Sequence, residues 1–351
     1  MTTDSLLLLF ATAFAVTWVA IVLLSRLAPY VGLMDRPGGR KRHHAAVPLV
    51  GGIGIYLGVL SAYLWSIDLR ALGLTYQVAC AAMLLVGVAD DRHDITPTAR
   101  LALQASIAAG LVLYTGQSVT NVGDLFGLGN MYLGWASLPF TIVSIVALIN
   151  AFNMLDGLDG LAGGVGFLGF AAMLLLAVLL GRPELPKVVA AFVGAVAGFM
   201  VFNAPVKLIR RPLVFMGDAG STLLGFASAA FAMSLVNPRG GSVSPPLILW
   251  LVAIPIFELF SSTFRRAVHG MSPMEADLGH YHHRLIQAGW PVNAVFAFYF
   301  LFSAVSVAIG LGLYVVEAPD VVTFLGFVAW FGMWNLAIRQ LPHDRRRETQ
   351  A

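Results

Sequence analysis

Charge in this chain is gathered into a few short clusters, and the stretches between them run apolar for about 20 residues at a time. That pattern leaves few folds open. A segment of this length and polarity matches the hydrocarbon thickness of a bilayer. Inside lipid, every backbone N–H and C=O must be satisfied within the segment, which selects the α-helix. Composition agrees: 58% of the 351 residues are hydrophobic and 11% are charged, against about 25% charged in a soluble domain. Such a chain could not cover a water-facing surface. The expected fold class is all-α, a polytopic integral membrane protein.

Spanning helices are expected near residues 5–26, 49–67, 71–89, 99–116, 132–151, 160–180, 187–204, 219–236, 245–264, 292–315 and 320–339. That makes ten to eleven spans, the fifth weakened by Pro139. The first apolar run, Ser5 to Ser25, is too long for a signal-peptide core and has no basic residue before it, so it reads as a retained helix. Of the 21 Lys and Arg residues, 17 fall in one alternating set of connections and 4 in the other. The rich set belongs in the cytoplasm, which predicts an N-terminus outside and a C-terminus inside. Residues 1–340 read as one transmembrane catalytic domain and 341–351 as a basic cytoplasmic tail. The net charge of +3 thus reports topology, and nucleic acid is not implied. Cys80, the single cysteine, sits in an apolar run and reads as packing. Residues 117–131 hold enough turn formers for a small hairpin.

The polar clusters all fall on the side assigned to the cytoplasm. Asp90-Asp91-Arg92-His93-Asp94 ends the third span. Two adjacent carboxylates at a membrane edge repel each other and resist desolvation, so a cation is expected beside them. Thr96-Pro97 reads as the cap and first residue of the next helix. Asn150, Asn153, Asp156 and Asp159 recur at every third position, a slanting stripe of about 14 Å if the helix continues through them. Glycines at 157, 160, 163 and 164 allow close approach of backbone to a ligand or a neighbouring helix. Interhelical hydrogen bonding would account for the asparagines but not for two carboxylates. Gly217-Asp218-Ala219-Gly220-Ser221 enters the eighth span, where Asp218 is either a helix cap or a carboxylate holding Mg²⁺ and phosphate at a helix N-terminus. Arg265-Arg266 and His280-Tyr281-His282-His283-Arg284 occupy the last long loop. The histidines lack a familiar zinc spacing and suit contact with a sugar pyrophosphate better. The run Asp35 to His44, with Lys41, is either a headgroup anchor or a phosphate contact.

Together these five motifs, in this order, resemble the polyprenyl-phosphate N-acetylhexosamine-1-phosphate transferase family over nearly the whole chain. The resemblance implies a bacterial inner-membrane enzyme with its active site on the cytoplasmic face. Its substrates would be a UDP-N-acetylhexosamine and undecaprenyl phosphate, its cofactor Mg²⁺, with Mn²⁺ able to take the same site, and its partners the lipid bilayer and a second copy of the chain as a homodimer. It implies Asp218 and Asn153 as metal ligands and Asp90, Asp91, Asp156 and Asp159 as catalytic carboxylates. Asn150, Lys41, Arg265, His280, His282 and His283 would be substrate contacts. The branch transferring phospho-N-acetylmuramoyl-pentapeptide resembles a pattern with Lys where Asp94 stands and a longer His run, so a simple UDP-N-acetylhexosamine is the expected donor. A polyprenyl-phosphate transporter would be expected to place polar groups at the bilayer midplane, not at one face. A CDP-alcohol phosphotransferase would need further Asp residues in 161–180, and there are none.

Overall fold

A computed structural model describes residues 3–35, 46–65, 70–205, 212–237, 242–268, 270 and 280–339. Lys41 and the tail from 341 onward lie outside these residues. The elements run α1 (Thr3–Val31), β1 (Met34–Asp35), β2 (Val47–Pro48), α2 (Gly51–Trp65), α3 (Arg70–His93), α4 (Pro97–Thr115), α5 (Ser137–Leu155), α6 (Leu161–Leu179), α7 (Leu185–Asn203), α8 (Gly217–Val236), α9 (Pro245–Leu251), α10 (Ala253–Val268), α11 (Tyr281–Gln287), α12 (Val292–Val315) and α13 (Asp320–Arg339).

Among the described residues, eight helices are long and apolar enough to cross a membrane, nine if the bent pair α9–α10 counts as one span. This revises the expected ten to eleven. Helix α2 has only 15 residues, and α4, which carries Arg100 and Gln104, is not among the eight. The expected single helix over 245–264 is instead broken at Val252, its halves meeting at 88°. Pro255 explains the break: it has no N–H for the Leu251 carbonyl, and its ring would strike that oxygen in a continuous helix. The carbonyl packs toward α6, where a Cβ on Gly169 would lie 3.0 Å from it. Pro139, by contrast, falls in the first turn of α5, where a missing N–H costs nothing. Residues 120–133 form a short hairpin, with Val122 N donating to Met131 O at 3.1 Å and Leu133 N to Thr120 O at 2.9 Å.

Helix α8 is the axis of the bundle. It is buried along nearly its whole length, with α3, α5, α2 and α6 packed around it. Small residues make this possible: Gly225 lets α5 approach until a Cβ there would meet the Ile149 nitrogen at 3.0 Å. The approach to α8 is also tied by backbone. Phe215 N donates to Pro48 O at 2.9 Å, and Gly51 N and Gly52 N donate to Phe215 O and Met216 O at 3.0 Å each. The entries of α2 and α8 are thus zipped together, which holds the first turn of α8 at the rim where α3 and α5 end.

Candidate active site

Asp90 and Asp91 end α3 and face different neighbours. Asp90 is buried, its Oδ2 2.6 Å from Arg100 Nη1 on α4, while its Oδ1 accepts the Ile95 N–H at 2.9 Å. Asp91 turns to α8, where Oδ1 accepts the Asp218 N–H at 2.8 Å and Oδ2 accepts the Ala219 N–H at 3.1 Å. The two adjacent carboxylates are therefore relieved by separate positive groups: a guanidinium for one, a helix N-terminus for the other. Thr96 caps α4 by position alone; its side chain makes no capping bond.

Asp218 lies in the first turn of α8. Met216 is the N-cap residue, and Asp218 makes no capping hydrogen bond, so the cap reading gives way to a carboxylate directed at α5. There Asn153 donates its amide N–H to Asp218 Oδ1, and the same nitrogen lies 3.2 Å from Ser221 Oγ. The polar stripe from 150 to 159 does not share one helix. Helix α5 ends at Leu155, Asp156 is its C-cap, and Asp159 lies in the turn beyond. Asn150, one turn earlier, donates to Gln104 Oε1 on α4 at 3.2 Å, an interhelical bond away from the carboxylates. Gly160 closes the turn with φ +74°, and its N–H donates to Asn203 Oδ1 at 2.7 Å, while Asn203 Nδ2 donates to Val214 O at 2.8 Å. Asn203 was not singled out in the sequence; its signal was an amide among the apolar residues ending α7, a position where buried polar groups need partners.

Asp156 holds its proton well above the usual carboxylate range, first because of burial and then because Asp218, Asp91 and Asp159 crowd it with negative charge. A carboxyl raised in this way stabilises the fold fully below its unfolded pKa and loses that contribution as pH rises through the folded one. Asp156→Asn should therefore raise the stability of the ligand-free protein near neutral pH by about 1 kcal/mol, with the gain vanishing toward pH ~4. Thermal melts of both forms in detergent across that range would check this, and equal stability at neutral pH would refute it.

The histidine cluster closes over the same loop. A Cβ on Gly157 would sit 2.7 Å from His282 Nε2 and 3.5 Å from His283 Nε2. His282 is fully buried, and neither ring nitrogen has a hydrogen-bond partner among the described residues. Burial first, then His283 and His280, keep it neutral far below the ordinary histidine range. Arg265 and Arg266 end α10 nearby in sequence, Arg266 buried and Arg265 3.3 Å from Ser262 Oγ. The structure thus joins Asp91, Asn153, Asp156, Asp218 and the His282–His283 pair. Asp90 and Asn150 stand one neighbour away, held by α4.

Do these groups suit a magnesium ion? Among the described residues, no three His, Cys, Asp or Glu side chains converge to hold a metal. Asp218 and Asn153 are in contact, however, with the further carboxylates crowding around them. One or two carboxylates completed by substrate phosphates is the habit of Mg²⁺ rather than of an ion caged by protein alone, so the donor set fits.

Comparison with known proteins shows the family. The model of the family described as glycosyl transferase family 4 matches residues 74–236, which span the Asp90–Asp91, Asn153–Asp159 and Asp218 segments. The chain is 34% identical over 329 residues to the undecaprenyl-phosphate alpha-N-acetylglucosaminyl 1-phosphate transferase of Salmonella typhi, covering 93% of this chain and 89% of that protein. Proteins of the same name from Haemophilus influenzae and Pasteurella multocida are each 32% identical, covering 92% and 95% of this chain and 90% and 93% of theirs. With likeness on this scale running through nearly its whole length, the chain belongs to glycosyl transferase family 4, as a membrane-embedded polyprenyl-phosphate sugar-1-phosphate transferase.

Proposed function

We propose that this enzyme transfers N-acetylglucosamine 1-phosphate from its UDP-sugar to undecaprenyl phosphate, at the cytoplasmic face of a bacterial inner membrane. The observation that carries the reading is the meeting of Asp91, Asn153, Asp156, Asp218 and His282 at one rim of the bundle. The basic connections favour the cytoplasmic side for that rim. Residues 1–340 then act as one catalytic unit, the isoprenoid tail remaining in lipid while the nucleotide arrives from water.

A phosphate oxygen of the acceptor attacks the phosphorus that bears the sugar. The pyrophosphate bond to UMP breaks, UMP leaves, and a lipid pyrophosphate sugar is formed. A phosphate monoester has a second pKa near ~6 and is largely dianionic at neutral pH, so no protein base is required. Positioning and charge neutralisation are the work to be done. Asp218 and Asn153 would hold the Mg²⁺, which when bound supplies Lewis-acid neutralisation of the diphosphate. Asp91 holds the first turn of α8 so that Asp218 is presented to the substrate, and Asp90 braces α3 against Arg100. Asp156 and Asp159 flank the donor, and His280, His282 and His283 with Arg265 close over the sugar pyrophosphate.

Purified protein, Mg²⁺ and undecaprenyl phosphate, offered a panel of UDP-sugars including UDP-N-acetylmuramoyl-pentapeptide, tests the proposal. UMP release with UDP-N-acetylglucosamine and not with the pentapeptide donor is expected. Failure of every UDP-sugar to yield UMP from folded protein would end it.

A further inference from the structure

Below the histidines, α10 carries a carboxylate that the reaction as described does not use. Glu258 is 1% exposed. Its Oε1 accepts the phenolic hydrogen of Tyr299 on α12, and its Oε2 lies 3.8 Å from His280 Nδ1. Tyr299 is itself fully buried. An ionisable group this far from water is costly, and an apolar pair would pack as well or better. What an apolar pair could not do is face an imidazole with an oxygen fixed in place.

His280 in turn lies nearly parallel to His282, the ring centroids 5.7 Å apart and the planes 4° from each other. His282 Nε2 sits against Gly157, next to Asp156 in the acidic loop. A second post holds the short helix α11: Tyr281 donates its hydroxyl to Asn335 Oδ1 on α13 at 2.6 Å, and the same oxygen lies 3.2 Å from Ser261 Oγ on α10. The His motif is thus seated on polar groups from α10, α12 and α13.

We propose that Glu258, anchored by Tyr299, is a positioning residue of the transferase. It orients the His280 ring and, through the stack, sets His282 against the acidic loop at Gly157. This rests on the reading of that loop and its histidines as the donor site. Glu258 touches no substrate; it acts through His280, as buried carboxylates orient histidines elsewhere.

The test is a double-mutant cycle with Glu258→Gln and His280→Ala, read as UMP release and as UDP-N-acetylglucosamine binding, with thermal melts of every variant. Gln keeps an acceptor for Tyr299 but replaces a carboxylate oxygen facing His280 with an amide group. Glu258→Gln should lower kcat by roughly 10-fold with little change in melting temperature, and should cost less than about 3-fold when His280 is already Ala. Equal penalties in the two backgrounds would overturn the proposal and leave Glu258 a packing group. If Glu258→Gln does not yield folded protein, Tyr299→Phe, which frees the anchored oxygen, carries the same cycle with the same two outcomes. The wild-type control separates the two ideas: no UMP from wild type defeats the transferase reading itself, whereas active wild type with additive penalties defeats only the role of Glu258.

Discussion

Asp218→Asn should reduce UMP release at saturating donor and acceptor by about a thousandfold while leaving the folded protein intact. Asparagine is isosteric, and its oxygen can still accept from Asn153, so the α5–α8 contact survives. Nothing is lost as a helix cap, because Asp218 makes no capping bond and Asp91 already takes the exposed N–H groups of that turn. What disappears is the charge that a bound cation would see. The measurement is initial rate against Mg²⁺ concentration, alongside a melting curve. A structural carboxylate would show the opposite pattern: stability lost and turnover retained in the surviving protein. Activity within tenfold of wild type would remove Asp218 from the metal site.

Gly87→Ala should be as damaging by a different route. Gly87 lies on α3 one turn before Asp91, with its α-carbon against the backbone of the Asp218–Ala219 turn. A Cβ there would meet Ala219 N and Asp218 O at 2.5 Å each. Both are backbone atoms, unable to swing aside as a side-chain tip could. The two helices would have to part, and Asp91 would lose its bonds to α8. A cost of about 3 kcal/mol is expected, at the upper end of overpacking effects, together with near-complete loss of turnover. Gly110→Ala on α4 is the control, since no described residue lies within 4 Å of its added carbon. It should be neutral or slightly stabilising, as alanine is the better helix former. Thermal melts of the two variants in the same detergent would decide. A Gly87→Ala protein that melts with wild type would show that the α3–α8 contact has room for a methyl group.

Much of this site is legible in the sequence, because lipid imposes a strict accounting. In a chain with so few charges, each carboxylate near a span end must answer to something, which singled out Asp91, Asp156 and Asp218. The partners were not legible. That Asp90 would pair with Arg100 and Asp91 with the start of α8 depends on how α3 meets α4 and α8, and no local pattern encodes it. The stripe from Asn150 to Asp159 assumed a continuous helix; the turn at Gly160, with its positive φ, ends that continuity and leaves Asn150 facing Gln104. Pro255 could have warned of the break between α9 and α10, but apolarity alone ran through it. Asn203, Glu258 and Tyr299 went unnoticed for a related reason. Each belongs to no polar cluster that the sequence sets apart, and only packing reveals where its bonds reach.

The backbone zipper between Pro48–Gly52 and Phe215–Met216 bears on how the enzyme is made. A nascent chain that has delivered only its first seven helices holds Asp91, Asn153 and Asp156 with the central helix still missing. Until residues 215–219 leave the ribosome, Asp91 lacks the Asp218 and Ala219 N–H groups and Asn153 lacks the Asp218 carboxylate. On the proposed reading, catalytic competence therefore waits for α8, and a product truncated before it would lack both Asp218 and the N–H groups that Asp91 binds.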